Sequence, residues 1–387
     1  MLIRYSSVGN GKQRKVAKVF TREEHRINPS LIDPKAAMIV RRLREGGHEA
    51  YIVGGAVRDT LVGREPKDFD IATSAHPRQI KKLFWNSRII GRRFKLVHIH
   101  YPDKIFEVST FRARENGEGE NNLYGTIEED AWRRDFSINA LFYDPLEEQV
   151  IDYVDGMRDI RNRVIRSIIP LDSTFLEDPV RMIRGIKYAS VTGFTMKFSL
   201  RRAIRRHSRE LARVSSSRMT EEVFKMLASG SSQNIVRMML HKQLFCHILP
   251  VLDELLQSGK QIPLTTELLD SLSELDKGYS TPEGIEKQRM IVALVRPFLL
   301  IPEEYESTME LFRELFTDIK RLIHPITPPN IDVEKAVALI LEEEQIKVPK
   351  HAVRKPKAPP AKPQGRRDTR RRKGPPRHRK KPAPPKS

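Results

Sequence analysis

The 387-residue chain carries 70 Lys or Arg against 50 Asp or Glu, a formal charge of +20, and is 39% hydrophobic. That length accommodates two or three domains, and the low apolar share predicts that part of the chain does not pack. A single cysteine, Cys246, excludes an intrachain disulfide and a cysteine-based zinc site and points to a reducing cytoplasm, while no apolar run approaches the ~20 residues of a membrane span.

Residues 1–29 form a basic segment, and its first 20 residues hold no acid and no apolar core of a secretory signal. Residues 34–46 read as a helix with Ala37, Ile39, Val40 and Leu43 apolar, stopped at Gly46-Gly47. A strand, 51–53, follows, and Gly54-Gly55 turns it into a helical stretch over 56–62. Residues 69–73, 96–100, 104–111 and 141–143 read as strands around one helix at 127–134, and 150–154 closes a hairpin through Pro145. The polar stretch 115–122, with Gly117 and Gly119, reads as a mobile loop.

From about Asp172 a 3.6-residue period takes over, carried by 180–189, 200–207, 219–227 and 235–249. The fold expected is therefore α+β: an α/β head with a small mixed sheet (30–170), then an all-helical neck (171–250) and body (251–349). Residues 350–387 form a tail. Its last 37 residues hold 15 Lys or Arg, one acid and nine prolines, with no aromatic residue, so they cannot bury enough surface to offset the entropy of ordering. The tail reads as a disordered basic arm that binds RNA phosphates through Arg366, Arg367, Arg370, Arg371 and Arg372.

Chemistry concentrates in a few segments. If Asp68-Phe69-Asp70 lies on a strand, both carboxylates share a face, and two such groups repel unless a hard cation such as Mg²⁺ sits between them. An exposed turn is the other meaning of Asp-x-Asp. Gly54-Gly55 offers side-chain-free backbone to a phosphate, with Arg58 one turn on, or is simply a tight turn. Glu107 sits mid-strand and needs a metal or a basic neighbour. Arg133, Arg134, Asp135 and Asn139 group cations, an acid and an amide able to hold phosphate and a ribose hydroxyl; a solvated helix end is the alternative. Asp178, expected to cap a helix, stands at i, i+3 from Arg181, so the pair presents an acceptor beside a donor fork, either to a base or to each other; Arg184 falls near the same face.

Together these segments resemble the class II nucleotidyltransferases, the bacterial poly(A) polymerases and tRNA CCA-adding enzymes. YIVGGAVRDTLVGREPKDFDIAT (51–73), RRDFSINAL (133–141) and EDPVRMIRGIKYA (177–189) are similar to three of the family's motifs in order, and the likeness covers roughly 30–250. The resemblance implies that Asp68 and Asp70 hold catalytic metals, Mg²⁺ or Mn²⁺, with Glu107 as third carboxylate. It implies triphosphate binding by Gly54, Gly55 and Arg58, sugar and phosphate binding by Arg133, Arg134 and Asp135, and base reading by Asp178 with Arg181. Residues 84–100 and the basic tail look like those of poly(A) polymerases, whereas 114–123 and the body look short for one. The expected activity is template-independent addition of AMP from ATP to RNA 3′ ends, promoting RNA turnover alongside the RNA-degradation machinery. A CCA-adding enzyme is the alternative within the family, and a non-catalytic RNA-binding protein the alternative outside it.

Overall fold

The computed structural model describes residues 2–8, 12–91, 96–113, 124–258, 261–280 and 284–354. The loop expected at 115–122 and the arginines expected at 366–372 lie outside the described residues.

A hairpin of β1 (Leu2–Val8) and β2 (Lys12–Phe20) leads through a single turn, α1 (Arg22–His25), to α2 (Pro34–Glu45). The α2 start is set by Asp33, whose side chain accepts the Lys35 amide at 2.7 Å, and by Pro34 at the first helical position. Then come β3 (Ala50–Val53), α3 (Gly55–Leu61), β4 (Asp70–Thr73), α4 (Pro77–Leu83), β5 (Ser87–Ile90), β6 (Leu96–His100) and β7 (Ile105–Thr110). The head closes with α5 (Ile127–Trp132), β8 (Leu141–Asp144), β9 (Gln149–Asp152), α6 (Gly156–Arg161) and β10 (Val164–Ile165).

Nine strands form one mixed sheet in the order β1-β2-β9-β8-β3-β4-β7-β6-β5, and only the central β4–β7 pair runs parallel. The sheet is larger than the sequence suggests because the basic N-terminal segment pairs with β9, Lys18 to Phe20 against Val150 to Asp152. A second helix, α4, also stands between 69 and 143, where one was expected. Its signal was Pro77 at the first helical position with a His76–Gln79 capping box.

Alternation along the strands sends Ile52, Ile71, Val97, Ile99 and Val108 to one face, packed with Ile39, Val40 and Leu43 of α2 and Ile80 of α4. Tyr51, Val53, Ala72, Phe111 and Phe142 go to the other, packed with Ile127 and Ala131 of α5. Asp70 shares that second face with Ala72, as Glu107 does with Phe111.

Helices follow: α7 (Leu171–Glu177), α8 (Arg181–Thr192), then β11 (Thr195–Met196), α9 (Phe198–His207), α10 (Ser216–Leu227), α11 (Ser232–His241), α12 (Phe245–Ile248) and α13 (Pro250–Gln257). The body holds α14 (Gln261–Lys277), α15 (Lys287–Val295), α16 (Thr308–Leu322) and α17 (Asn330–Glu343). Two expectations change. Helix 235–249 is two helices, α11 and α12: Gln243 takes a left-handed φ of 56°, the Leu244 amide donates to Met239 O at 2.9 Å, and this reversal ends α11. The neck is not wholly helical, because β10 and β11 pair in parallel and tie it to the head. Among the described residues, no helix is long and apolar enough to cross a membrane.

Candidate functional site

The buried strand β3 ends at Gly54, whose φ of 72° and ψ of −130° only glycine adopts readily, and α3 starts at the next residue. A Cβ built on Gly54 would lie 3.7 Å from Asp70 Oδ2 and 3.8 Å from Arg134 Nη1, so this turn faces a carboxylate and a guanidinium at once. Asp70, the first residue of β4, is in register with Val53 on one side and with Glu107 of β7 on the other. Residues opposed in adjacent strands project to the same side, so the two carboxylates are neighbours.

Asp70 is an exposed residue that lines the cleft, yet its surroundings desolvate its carboxyl. That desolvation, with the Glu107 charge adding and Arg134 opposing, raises its pKa from 3.8 to about 6. The second flank of Glu107 is His98 of β6, Nε2 to Oε1 3.4 Å. Two adjoining carboxylates, one reluctant to ionise, are the donor chemistry of a hard divalent cation completed by substrate oxygens. Among the described residues, however, no group of three or more His, Cys, Asp or Glu is placed to hold a metal ion.

The cleft has a volume of about 590 Å³. Asp130 of α5 anchors one wall: Arg134 donates to it at 2.9 and 3.2 Å, Arg133 lies 3.5 Å away, and the Arg112 amide donates at 3.2 Å. Arg112, Arg133 and Arg134 all line the cleft. Burial lowers the pKa of Arg133, Asp130 opposes that, and the other two arginines reinforce it. Like charges crowded around one acid make this wall a receptor for a polyanion. Asn139, 6% exposed, accepts Arg58 Nη1 at 2.9 Å through its carbonyl, and its buried Nδ2 has no partner.

The opposite wall comes from the neck. Asp178 does not cap α8 with its side chain as expected; it ends α7 in extended backbone, and α8 starts three residues later with a Pro179-Val180 turn between. Its carboxylate instead accepts Arg218 of α10 at 2.6 Å through Oδ2, and its buried Oδ1 has no partner. Arg181 is held by Thr174 O at 3.1 Å and Glu177 at 3.2 Å, with its Nε 3.9 Å from Asp178. Arg184 pairs with Asp135 at 2.8 Å, which raises the Arg184 pKa well above its ordinary value.

Of the residues singled out in the sequence, Gly54, Gly55, Asp70, Glu107, Arg133, Arg134, Asp135, Asn139, Asp178, Arg181 and Arg184 line this cleft, and Asp68 and Arg58 do not. Asp68 precedes β4, so the shared strand expected for the Asp68-Phe69-Asp70 run does not form; its charge still reaches Asp70 and raises that pKa further. The Arg58 guanidinium is 6% exposed, spent on both Asp59 oxygens at 2.9 Å and on Asn139, and stacked 5.1 Å over Tyr188, so it positions the wall rather than facing a ligand. Sequence reasoning missed Asp130, Arg112, Tyr188 and Arg218. Asp130 stood at i+4 from Arg134, a readable spacing; Arg218 had none, because it reaches Asp178 from forty residues along the chain.

Residues 50–166 match the protein family described as "Poly A polymerase head domain", and residues 193–256 the one described as "Probable RNA and SrmB- binding site of polymerase A". The chain is 36% identical over 273 residues to poly(A) polymerase I of Escherichia coli O6:H1, an alignment covering 67% of this chain and 59% of that one. It is 35% identical over 216 residues to the CCA-adding enzyme of Bacillus subtilis, covering 54% of each. The chain thus spans under two thirds of the length of the curated relatives it matches. The crystal structure of the Bacillus stearothermophilus CCA-adding enzyme in complex with CTP is similar at a TM-score of 0.54 and 25% identity, covering 82% of this chain and 85% of that chain.

Proposed function

Since the chain belongs to the nucleotidyltransferase family that includes poly(A) polymerases and CCA-adding enzymes, we propose that it is a template-independent poly(A) polymerase, adding AMP from ATP to RNA 3′ ends with release of pyrophosphate. The observation that carries the reading is the in-register Asp70–Glu107 pair, facing an arginine wall across one cleft. Its bias toward adenylate rests on the longer alignment with poly(A) polymerase I, 273 residues at 36% identity against 216 at 35% for the CCA-adding enzyme, and on the basic tail.

Asp70 and Glu107, with Asp68 beside them, are the residues that would hold Mg²⁺ or Mn²⁺. When bound, such cations supply Lewis-acid polarisation of the attacking hydroxyl and charge neutralisation at the leaving group. The Gly54-Gly55 backbone leaves room for the triphosphate, and Arg133 and Arg134 bind it. Asn139 Nδ2 donates to a ribose hydroxyl, and Asp178 with Arg181 reads the base. The RNA 3′-hydroxyl attacks the α-phosphorus in line with the departing pyrophosphate. In this reading the enzyme acts in the cytoplasm to promote RNA turnover, with the RNA-degradation machinery as partner, and the 366–372 arginines of the tail bind RNA.

The CCA-adding reading is the second, favoured by the likeness to the Bacillus stearothermophilus enzyme in complex with CTP. Incubating an unstructured RNA and a tRNA lacking its 3′ end with each nucleotide separately, and with CTP and ATP together, decides. Long ladders with ATP alone on the plain RNA support the proposal; addition that stops at CCA on the tRNA, with none on the plain RNA, refutes it. Failure to extend either RNA leaves a non-catalytic RNA-binding protein.

A further inference from the structure

Beside the cleft lies a second cavity of about 300 Å³ that shares Glu177, Asp178 and Arg218 with it, so these side chains form a common wall. The volume is at the low end of the ~300–1,000 Å³ usual for ligand sites, room for one base rather than a nucleoside triphosphate. Its lining is mixed: Leu176, at the end of α7 and 56% exposed, shares it with Pro179, Val214 and charged side chains. Around it Arg213 pairs with Glu210 at 2.7 Å and Arg218 with Asp178 at 2.6 Å, the two arginine side chains being 77% and 52% exposed, and Asp178 Oδ1 is left as a buried acceptor without a partner. Apolar faces rimmed by donors and acceptors suit a heteroaromatic base.

What leads to the cavity narrows the occupant. Arg213 and Val214 continue a stretch that begins in α9, a helix with Arg201, Arg202, Arg205 and Arg206 exposed and no acid in its sequence. The exposed Phe198, 71% open and 5.9 Å from the Arg201 guanidinium, heads the same helix. A cationic helix that leads in sequence into the lining of a base-sized cavity beside the nucleotide cleft suits a single strand of nucleic acid.

We propose that this cavity holds the penultimate nucleobase of the RNA being extended, unstacked from its neighbours, with α9 binding the phosphates upstream. The inference rests on the polymerase reading above and adds a primer subsite to it.

Oligoadenylate primers carrying one abasic nucleotide, moved position by position from the 3′ end, test it with the full chain. Losing the base at the penultimate position should raise the primer KM about tenfold, as deletion of a stacked base does, and losing it five positions upstream should not. Leu176→Asp should raise the intact primer's KM by a similar factor and leave the ATP KM unchanged. With that variant the penultimate abasic primer should carry no added penalty. Penalties that multiply, or a primer KM unmoved by Leu176→Asp, would overturn the subsite. Val214→Phe, which fills the space, repeats the measurement, and thermal melting identifies any variant that fails to fold. If the unaltered chain extends no RNA, the polymerase reading falls; the same primer series read by fluorescence anisotropy then still tests the cavity, and equal affinity for every primer rejects it.

Discussion

Arg184 of α8 and Asp135 of the head meet at 2.8 Å across the cleft, so a neck helix and the head share one ion pair at the site. Asp135 is 6% exposed, and its other oxygen accepts the Phe136 amide at 2.8 Å. Arg184→Ala leaves that carboxylate buried without its cation and should lower the unfolding free energy by ~1–3 kcal/mol. Denaturant unfolding measures it, and Arg184→Lys should restore only part of the loss because one ammonium replaces a planar fork.

On the proposed function, Asp70→Ala should reduce extension to background while leaving RNA affinity within about twofold, since phosphate binding is carried by cations and not by a carboxylate. Gel extension and anisotropy on the same preparation separate the two effects; an unchanged rate would remove Asp70 from the mechanism.

The raised Asp70 pKa carries a sign. A carboxyl whose folded pKa exceeds its unfolded value binds its proton more tightly when folded, so its stabilising contribution is present at low pH and lost as pH climbs from 3.8 toward about 6. In chelator, Asp70→Asn should remove that loss, and its stability gain over the unaltered chain should grow across this interval. Adding Mg²⁺ at pH 7 should raise the melting temperature of the unaltered chain and leave the variant nearly unmoved. A variant that tracks the parent from pH 4 to 7 would contradict the electrostatics described for the pair.

Gly54→Ala isolates backbone from space. Its Cβ would meet Asp70 and Arg134 at ordinary contact distances, so the cost comes from a φ and ψ that alanine avoids, ~1–3 kcal/mol. Nucleotide binding by calorimetry should weaken in parallel as the turn shifts against Asp70.

The basic tail is best cut after Arg354, not at Lys350. Ala352 and Val353 pack on the body, and the Arg354 amide donates to the buried Glu334 at 2.9 Å. Removing 355–387 should flatten the dependence of log Kd on log salt by roughly 5, if about 7 tail charges meet phosphates. An unaltered slope would mean that the arm does not touch RNA.

The local parts of the architecture were legible because they are written locally. The β3–Gly54–α3 turn follows from two glycines after an apolar triplet, and β6 was placed to the residue. The strand position of Glu107 follows from alternation, while its choice between a metal and a basic neighbour stayed open there. What escaped was set by partners distant in sequence. Arg58 looked like a free cation one turn into a helix, yet Asn139, 81 residues further along the chain, draws it into a buried network. Asp178 looked like a cap, yet Arg218 captures its carboxylate. The β1–β2 hairpin was hidden because its pairing partner β9 lies over a hundred residues on.

Asp70 and Glu107 stand on adjacent parallel strands, and the chain between them must first lay down α4 and the β5–β6 hairpin before β7 can dock. Such a pairing is non-local and forms late, after loop closure has been overcome. A chain still emerging from synthesis therefore possesses the glycine turn and one carboxylate but not the pair. The carboxylate pair is complete only when the centre of the sheet closes and brings β7 into register with β4.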